Sequence, residues 1–145
     1  HMNSEKKDKH RYYNYDIEKI YEYMKSLSNF KFVDYDFDLN SILNVCDILI
    51  SDYSGVIFDY LFLDRPIIIY SPDYEYYLKK GFNMDPTKEN FCHLAGNFNE
   101  LINLINESNK DFESFSKKHS ENRKIIKNKI FANNSIEKLM ELITN

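Results

Sequence analysis

The residues best placed to do chemistry lie in one stretch, Asp47-Ile-Leu-Ile-Ser-Asp-Tyr-Ser-Gly-Val-Ile-Phe-Asp-Tyr60. An apolar strand core ends at Ser51, a polar turn runs through Asp52, Tyr53, Ser54 and Gly55, and the turn opens directly into an apolar helix that carries Asp59. In an open α/β sheet, ligands bind where the carboxyl end of a strand gives way to a helix. The opening N–H groups of that helix have no partner within it, and the positive end of its dipole attracts an anion, so the spacing suits phosphate binding. Ser54 adds a hydroxyl donor, and Gly55 permits close approach of backbone to ligand. Each residue also has a plainer reading. Ser54 could simply cap the helix, Asp52 could bond its own backbone within the turn, and Asp59 could be a carboxylate favoured by the helix dipole by about 0.3–1 kcal/mol. Tyr53 is either core or a wall of the pocket.

The neighbouring segments must hold this turn in place. Arg65-Pro66-Ile-Ile-Ile-Tyr70 supplies a second buried strand, with proline at a tolerated first position, so the unit reads strand–turn–helix–strand. Upstream, Ile17, Ile20, Tyr21, Met24 and Leu27 recur at helical spacing and predict a helix over about residues 15–27. Phe30-Lys-Phe-Val-Asp34 alternates as a short strand, and Asp38 is placed to cap a helix carrying Leu39, Ile42, Leu43 and Val45. Downstream, Ser71-Pro72-Asp73 breaks the second strand. Residues 71–89, with Tyr74, Tyr76, Tyr77, Gly81, Phe82 and Pro86, read as a long irregular loop of a kind that is often functional. Asn97 or Asn99 caps a helix with Leu101, Ile102, Leu104 and Ile105, and further helices are predicted over 111–130 and 134–143. In the first of these, Phe112, Phe115 and Ile126 form the expected buried stripe. Alternating strands and helices on short connections predict an α/β fold with a parallel sheet and flanking helices.

Composition narrows the function classes. A chain of 145 residues, 43% apolar and 16% aromatic, suits one globular domain. Nineteen Lys and Arg against 23 Asp and Glu give a formal net charge of −4, which offers no support for a nucleic-acid binder. Cys46 and Cys92 have no CxxC spacing and read as reduced thiols in a cytoplasmic protein. No His, Cys and Asp set has metal-ligand spacing, so neither metal nor cofactor is expected, and His93 and His119 read as structural or surface residues. No apolar run approaches the roughly 20 residues that cross a bilayer. His1-Met2 reads as a cloning scar before a single α/β domain over residues 3–145. Strands are expected at 30–34, 48–51 and 66–70, fewer than open α/β sheets usually hold. The chain is therefore expected to be a fragment of a larger two-lobed enzyme, with strands missing upstream.

The block from Asp47 to Asp73 resembles the signature of the CDP-glycerol glycerophosphotransferases, the teichoic-acid and capsule polymerases and primases. The likeness continues through Tyr74-Glu-Tyr-Tyr, Lys80-Gly81-Phe82, the helix start at Asn97 and Ala132-Asn-Asn-Ser-Ile-Glu-Lys-Leu139. It implies the donor-binding lobe of a GT-B fold, Rossmann-like in form, whose Ser51, Asp52, Ser54, Gly55 and Asp59 contact the donor. By this resemblance Ser54 and Gly55 hold the phosphates of CDP-glycerol, and Asp59 bonds ribose hydroxyls. The full enzyme would pass glycerol phosphate to a polyol-phosphate acceptor held by the other lobe, releasing CMP. One catalytic histidine of the family belongs to that other lobe. A second lies in a Lys/Arg-x-His-Pro strand end upstream of the strong match. His10, in Lys9-His10-Arg11, is the candidate for it here, but it lacks the proline and the preceding apolar strand. The motif is therefore expected upstream of this chain. The chain has Ser54-Gly55 where the family often has Ser-Ser, and Phe91-Cys-His-Leu94 where the family has Pro-Gly-Pro.

Lys117, Lys118, Arg123, Lys124, Lys127 and Lys129 make the helix over 111–130 basic. Such a face is ordinarily solvated. In a family that works on lipid-linked polymers it also allows peripheral contact with anionic lipid at the inner face of the membrane. Two other readings stay open: a GT-B glycosyltransferase lobe using another nucleotide-activated donor, and a non-catalytic α/β interaction module. A receiver-like module is disfavoured, because no acidic pair closes an early strand.

Overall fold

The computed structural model describes residues 17–33, 36–81 and 85–131. The chain divides at Asp38 into two compact units. In the first, helix α1 (Ile17–Ser26) matches its predicted periodicity. Residues 30–33 form no strand, against expectation. An alternating pattern needs a neighbouring strand, and here the aromatic side chains turn to their own helix instead. Phe32 stacks on Tyr21 of α1 with ring centroids 3.9 Å apart, and Phe30 meets Phe32 edge-on at 4.8 Å.

The second unit is built on a three-stranded parallel sheet in the order β1 (Leu49–Ser51), β2 (Ile67–Tyr70), β3 (His93–Ala95). Helix α2 (Leu39–Val45) precedes β1. Helix α3 (Val56–Tyr60) and a 3₁₀ turn (Leu61–Leu63) join β1 to β2. Helices α4 (Tyr74–Lys80) and α5 (Pro86–Glu89) lie between β2 and β3, and α6 (Phe98–Lys110), α7 (Phe112–Lys117) and α8 (Ser120–Phe131) follow. Ile67, Ile68 and Ile69 of the middle strand are wholly or almost wholly buried. Their side chains alternate between two faces, as the pleat requires. Ile67 and Ile69 pack with Leu43, Ile57, Tyr60, Leu61, Phe91 and Ile126, whereas Ile68 packs with Ala95, Phe115 and the α6 leucines. Helices therefore cover both faces, the arrangement that parallel sheets demand.

Side chains close the connections. The Arg65 guanidinium donates to the carbonyls of Asn44 (2.8 Å) and Cys46 (2.6 Å), and the Tyr60 hydroxyl also donates to Cys46 (2.7 Å). These bonds satisfy carbonyls that the end of α2 leaves unpaired. Asp64 turns the chain into β2 in the left-handed region (φ 48°), which Asp tolerates better than most residues. Buried Arg123 of α8 locks that turn, donating to the Asp64 carboxylate at 3.1 Å, the Asp64 carbonyl at 3.2 Å and the Ser116 carbonyl at 2.6 Å.

Several sequence expectations change here. Residues 71–89 are not an irregular loop but carry α4 and α5. Tyr74, Tyr77 and Leu78 have the helical spacing that reveals α4. The third strand is β3, a short His-Leu-Ala segment whose leading histidine hides a buried strand. The helix predicted over 111–130 is two helices, broken at Lys118 and His119, and Phe112 is exposed while Phe115 and Ile126 are buried. The helix predicted over 134–143 lies outside the described residues.

Candidate functional site

Because β1, β2 and β3 run parallel, Ser51, Tyr70 and Ala95 end at one edge of the sheet. Three chain segments leave this edge: Asp52–Gly55 toward α3, Ser71–Asp73 toward α4, and Gly96–Asn97 toward α6. Of the predicted residues, Ser51 ends β1, and Asp52, Ser54 and Gly55 lie in the first of these segments. Asp52, Ser54, Gly55 and Asp59 are exposed, and Ser51 is half-buried at the strand end. Asp59 lies four residues beyond Gly55, which puts the two on one side of the helix. His10 lies outside the described residues.

The turn after β1 is left open by its own side chains. Backbone is already helical at Gly55 (φ −58°, ψ −21°), which occupies the cap position of α3, so no side chain caps this start. The expected Ser54 cap is thus absent. Instead the Ser54 carbonyl accepts from Ile57 N–H at 3.2 Å and the Gly55 carbonyl accepts from Phe58 N–H at 3.0 Å. The amides of Gly55 and Val56 precede the first helical bond and have no intrahelical acceptor. A Cβ added at Gly55 would meet nothing within 4 Å, and its φ is ordinary, so the chain itself does not require glycine there. The turn contributes the carboxylates of Asp52 and Asp59 but no cationic side chain. The donors it offers an anion are therefore uncharged, backbone N–H groups and the Ser54 hydroxyl.

One wall of the turn was not evident from the sequence. The Tyr53 ring packs on Tyr77 of α4, centroids 4.4 Å apart and tilted by 47°, and Tyr77 meets Tyr76 edge-on at 5.8 Å. Burial raises the Tyr53 phenol above its usual range. The hydroxyl of Tyr74, which opens α4, donates to the Asp85 carboxylate at 3.0 and 3.2 Å. Ser71, buried beside Tyr53, donates its N–H to Ala95 at 2.8 Å and joins the second exit to the third.

The third exit is partly closed by its own side chains. Asn97 caps α6 by accepting from Glu100 N–H at 3.0 Å, while the Glu100 carboxylate accepts from Gly96 N–H at 2.7 Å. This reciprocal pair is a variant of the capping box, with the Gly96 amide in place of the cap residue's own, and it takes up two of the donors at this start.

The two central histidines are structural. His93 stacks on Phe115 with centroids 3.8 Å apart and meets His119 edge-on at 4.5 Å. Carbonyls only accept, so His93 Nε2–H donates to Phe115 at 3.2 Å and His119 Nδ1–H donates to Asn90 at 3.0 Å. Burial pushes His93 down to about 4, and His119 moves the same way for the same reason. The Cys92 thiol, also buried, is pushed up to about 12, which leaves it unreactive. Among the described residues no His, Cys, Asp and Glu group converges to hold a metal ion.

The family model for CDP-glycerol:poly(glycerophosphate) glycerophosphotransferase matches residues 9–145. The chain belongs to that family. A teichoic acid poly(ribitol-phosphate) polymerase of Bacillus spizizenii is 34% identical over 104 residues, 66% of this chain and 17% of the relative. A teichoic acid poly(glycerol phosphate) polymerase of the same organism is 42% identical over 66 residues, 41% of this chain and 17% of the relative. A teichoic acid ribitol-phosphate primase from it is 48% identical over 44 residues, 30% of this chain and 11% of the relative. The chain thus spans less than a fifth of the length of these relatives, whose names divide between glycerol phosphate and ribitol phosphate.

Proposed function

We propose that this chain is the donor-binding part of a transferase that moves a polyol phosphate, glycerol phosphate by the family's name, from a cytidine diphosphate donor to a teichoic-acid or capsule-type acceptor. The reading rests above all on the open turn at Ser54 and Gly55. It sits at the ligand-binding edge of a parallel sheet and keeps its opening amides out of its own helix ladder. The donor's diphosphate would lie on those amides with the Ser54 hydroxyl, and Asp59 would face the ribose. An acceptor hydroxyl would attack the β-phosphorus, the bond from that phosphorus to the bridging oxygen would break, and CMP would leave. Positioning and charge stabilisation dominate phosphoryl transfer. The turn brings no cation, so the opposing charge would come from the polyol-phosphate-binding lobe of the GT-B enzyme, which would also hold one of the catalytic histidines.

Peripheral membrane contact draws little support from α7 and α8. Arg123 is buried, and Lys117, Lys124 and Lys129 pair with Glu113, Glu121 and Glu89. No helix among the described residues is long and apolar enough to cross a membrane.

A heteronuclear NMR titration with CDP-glycerol, CMP and UDP-glucose tests the proposal. Shifts confined to residues 51–59 and 71–81, strongest with the cytidine ligands, are expected. A response stronger with UDP-glucose would favour a glycosyltransferase lobe, and no response to any ligand would refute the donor site. The chain alone is expected to bind without turnover, so glycerol-phosphate transfer to a primer by it alone would overturn the division of labour.

A further inference from the structure

We propose that Tyr76 and Tyr77 of α4, with Tyr53, form the seat for the planar base of the donor nucleotide. This rests on the donor-site reading above and adds to it the residues that would grip the nucleoside end. Tyr53 stands within the turn, one residue from Ser54, so the array begins in the segment assigned to the phosphates. From it the aromatic array runs outward, through Tyr77 at 4.4 Å to Tyr76 at 5.8 Å beyond. Tyr53 packs against the core, but Tyr76 and Tyr77 are not part of it, and Tyr76 is 38% exposed. An exposed aromatic offers a π surface to a ligand.

The array is also held in place. The Tyr74 hydroxyl on the Asp85 carboxylate ties the start of α4 to the approach to α5, and Gly81 (φ 84°) ends α4 where other residues would be strained. A rigid aromatic loses little entropy on binding, which suits a stacking platform. A nucleotide has a π face for such a platform, and a polyol has none, so the array fits the base rather than the transferred group. Base–aromatic stacking contributes roughly tenfold in affinity and tolerates any base. The array would therefore supply grip, with discrimination of cytosine left to hydrogen bonds elsewhere.

The test compares CMP and inorganic pyrophosphate on the wild-type chain and on Tyr76→Ala, Tyr76→Phe, Tyr77→Ala and Gly55→Leu. Either Tyr→Ala change should weaken CMP about tenfold while moving pyrophosphate less than twofold, and Tyr76→Phe should restore CMP. Cytosine H5 and H6 signals should shift upfield on the wild type through ring currents and lose that shift with Tyr76→Ala. If both alanine variants keep CMP within twofold while Gly55→Leu loses it, the base seat is wrong and the donor site stands. Equal loss of CMP and pyrophosphate in the alanine variants would make the array structural and also overturn the proposal. Failure of the wild type to bind either probe would refute the donor-site reading and this one with it.

Discussion

The turns after β1 and β3 leave the same edge of one sheet, and their helices start in opposite ways. At α6 side chains take up part of the start: Asn97 takes the Glu100 amide, and Glu100 takes the amide of Gly96. At α3 the cap position is glycine, no side chain closes the start, and Ser54 and Gly55 face solvent. A helix start without a cap gives up about 1 kcal/mol. The chain thus puts side-chain bonds into the first start and none into the second. The difference is best tested by asking which perturbations move stability and which move binding.

Acid should have the largest effect, and should act on the closed half. The unfolded chain protonates histidine near 6.5, whereas buried His93 resists down to about 4, faced by His119, Lys118 and Arg123. Between those values the unfolded state holds more protons, so stability is complete above about pH 6.5 and falls as the pH drops. His93 alone would account for a loss on the order of 3 kcal/mol, and His119 adds in the same direction. Urea midpoints at pH 7, 5.5 and 4.5 should fall steadily, and amide exchange should accelerate over residues 93–110 before 49–60. A flat midpoint over this range would show that the histidines titrate freely.

Gly55→Leu should separate binding from stability at the open turn. The residue has helical φ and free space for a Cβ, so the substitution should leave stability unchanged or raise it by about 0.4–1 kcal/mol through the unfolded chain. The same side chain would occupy the space beside the amides and should weaken CMP at least about tenfold, equivalent to about 1.4 kcal/mol. A loss of stability with unchanged affinity would mean that the glycine serves the fold.

Asn97→Ala is the reverse case. It should cost about 1 kcal/mol in a urea titration and leave CMP affinity untouched. If CMP weakens as well, the two turns are coupled across the sheet and cannot be assigned separate roles.

Much of this comparison could be read from the sequence, and the part that could not has physical reasons. The β1 turn was legible because an apolar run, a polar turn and an apolar run follow one another within a few residues. Asn97 with Glu100 three residues later is likewise a local signature. The β3 strand was hidden because His93 is polar by type and apolar by behaviour: stacking on Phe115 and a bond to its carbonyl keep it neutral and buried. Arg123 deceived in the same way, reading as part of a basic face although its charge is spent inside on Asp64. The strand expected at residues 30–34 failed for the opposite reason, since alternation specifies a face but not a partner. Of the candidate site, the turn was legible because Ser51 to Gly55 are five consecutive positions. The Tyr53–Tyr77 contact was not, because only the fold of α4 brings the rings together.

Ser54→Ala should have the smallest effect on stability and decides most directly between the two readings of its hydroxyl. If Ser54 capped α3 as Asn97 caps α6, its loss would cost about 1 kcal/mol. The cap position is instead Gly55, and Ser54 contributes its carbonyl, which alanine keeps. The expected change in unfolding free energy is therefore below about 0.5 kcal/mol, as for an exposed site without structural bonds. A hydroxyl that donates to a bound phosphate should nevertheless be missed on binding, by about 0.5–1.5 kcal/mol, or roughly two- to tenfold in the dissociation constant of CMP. Paired with Asn97→Ala, the variant completes a crossed design in which one serves the fold and the other the ligand. If Ser54→Ala instead destabilises the chain as much as Asn97→Ala and leaves CMP unmoved, both helix starts are closed in solution, and the turn after β1 loses its claim to the phosphates.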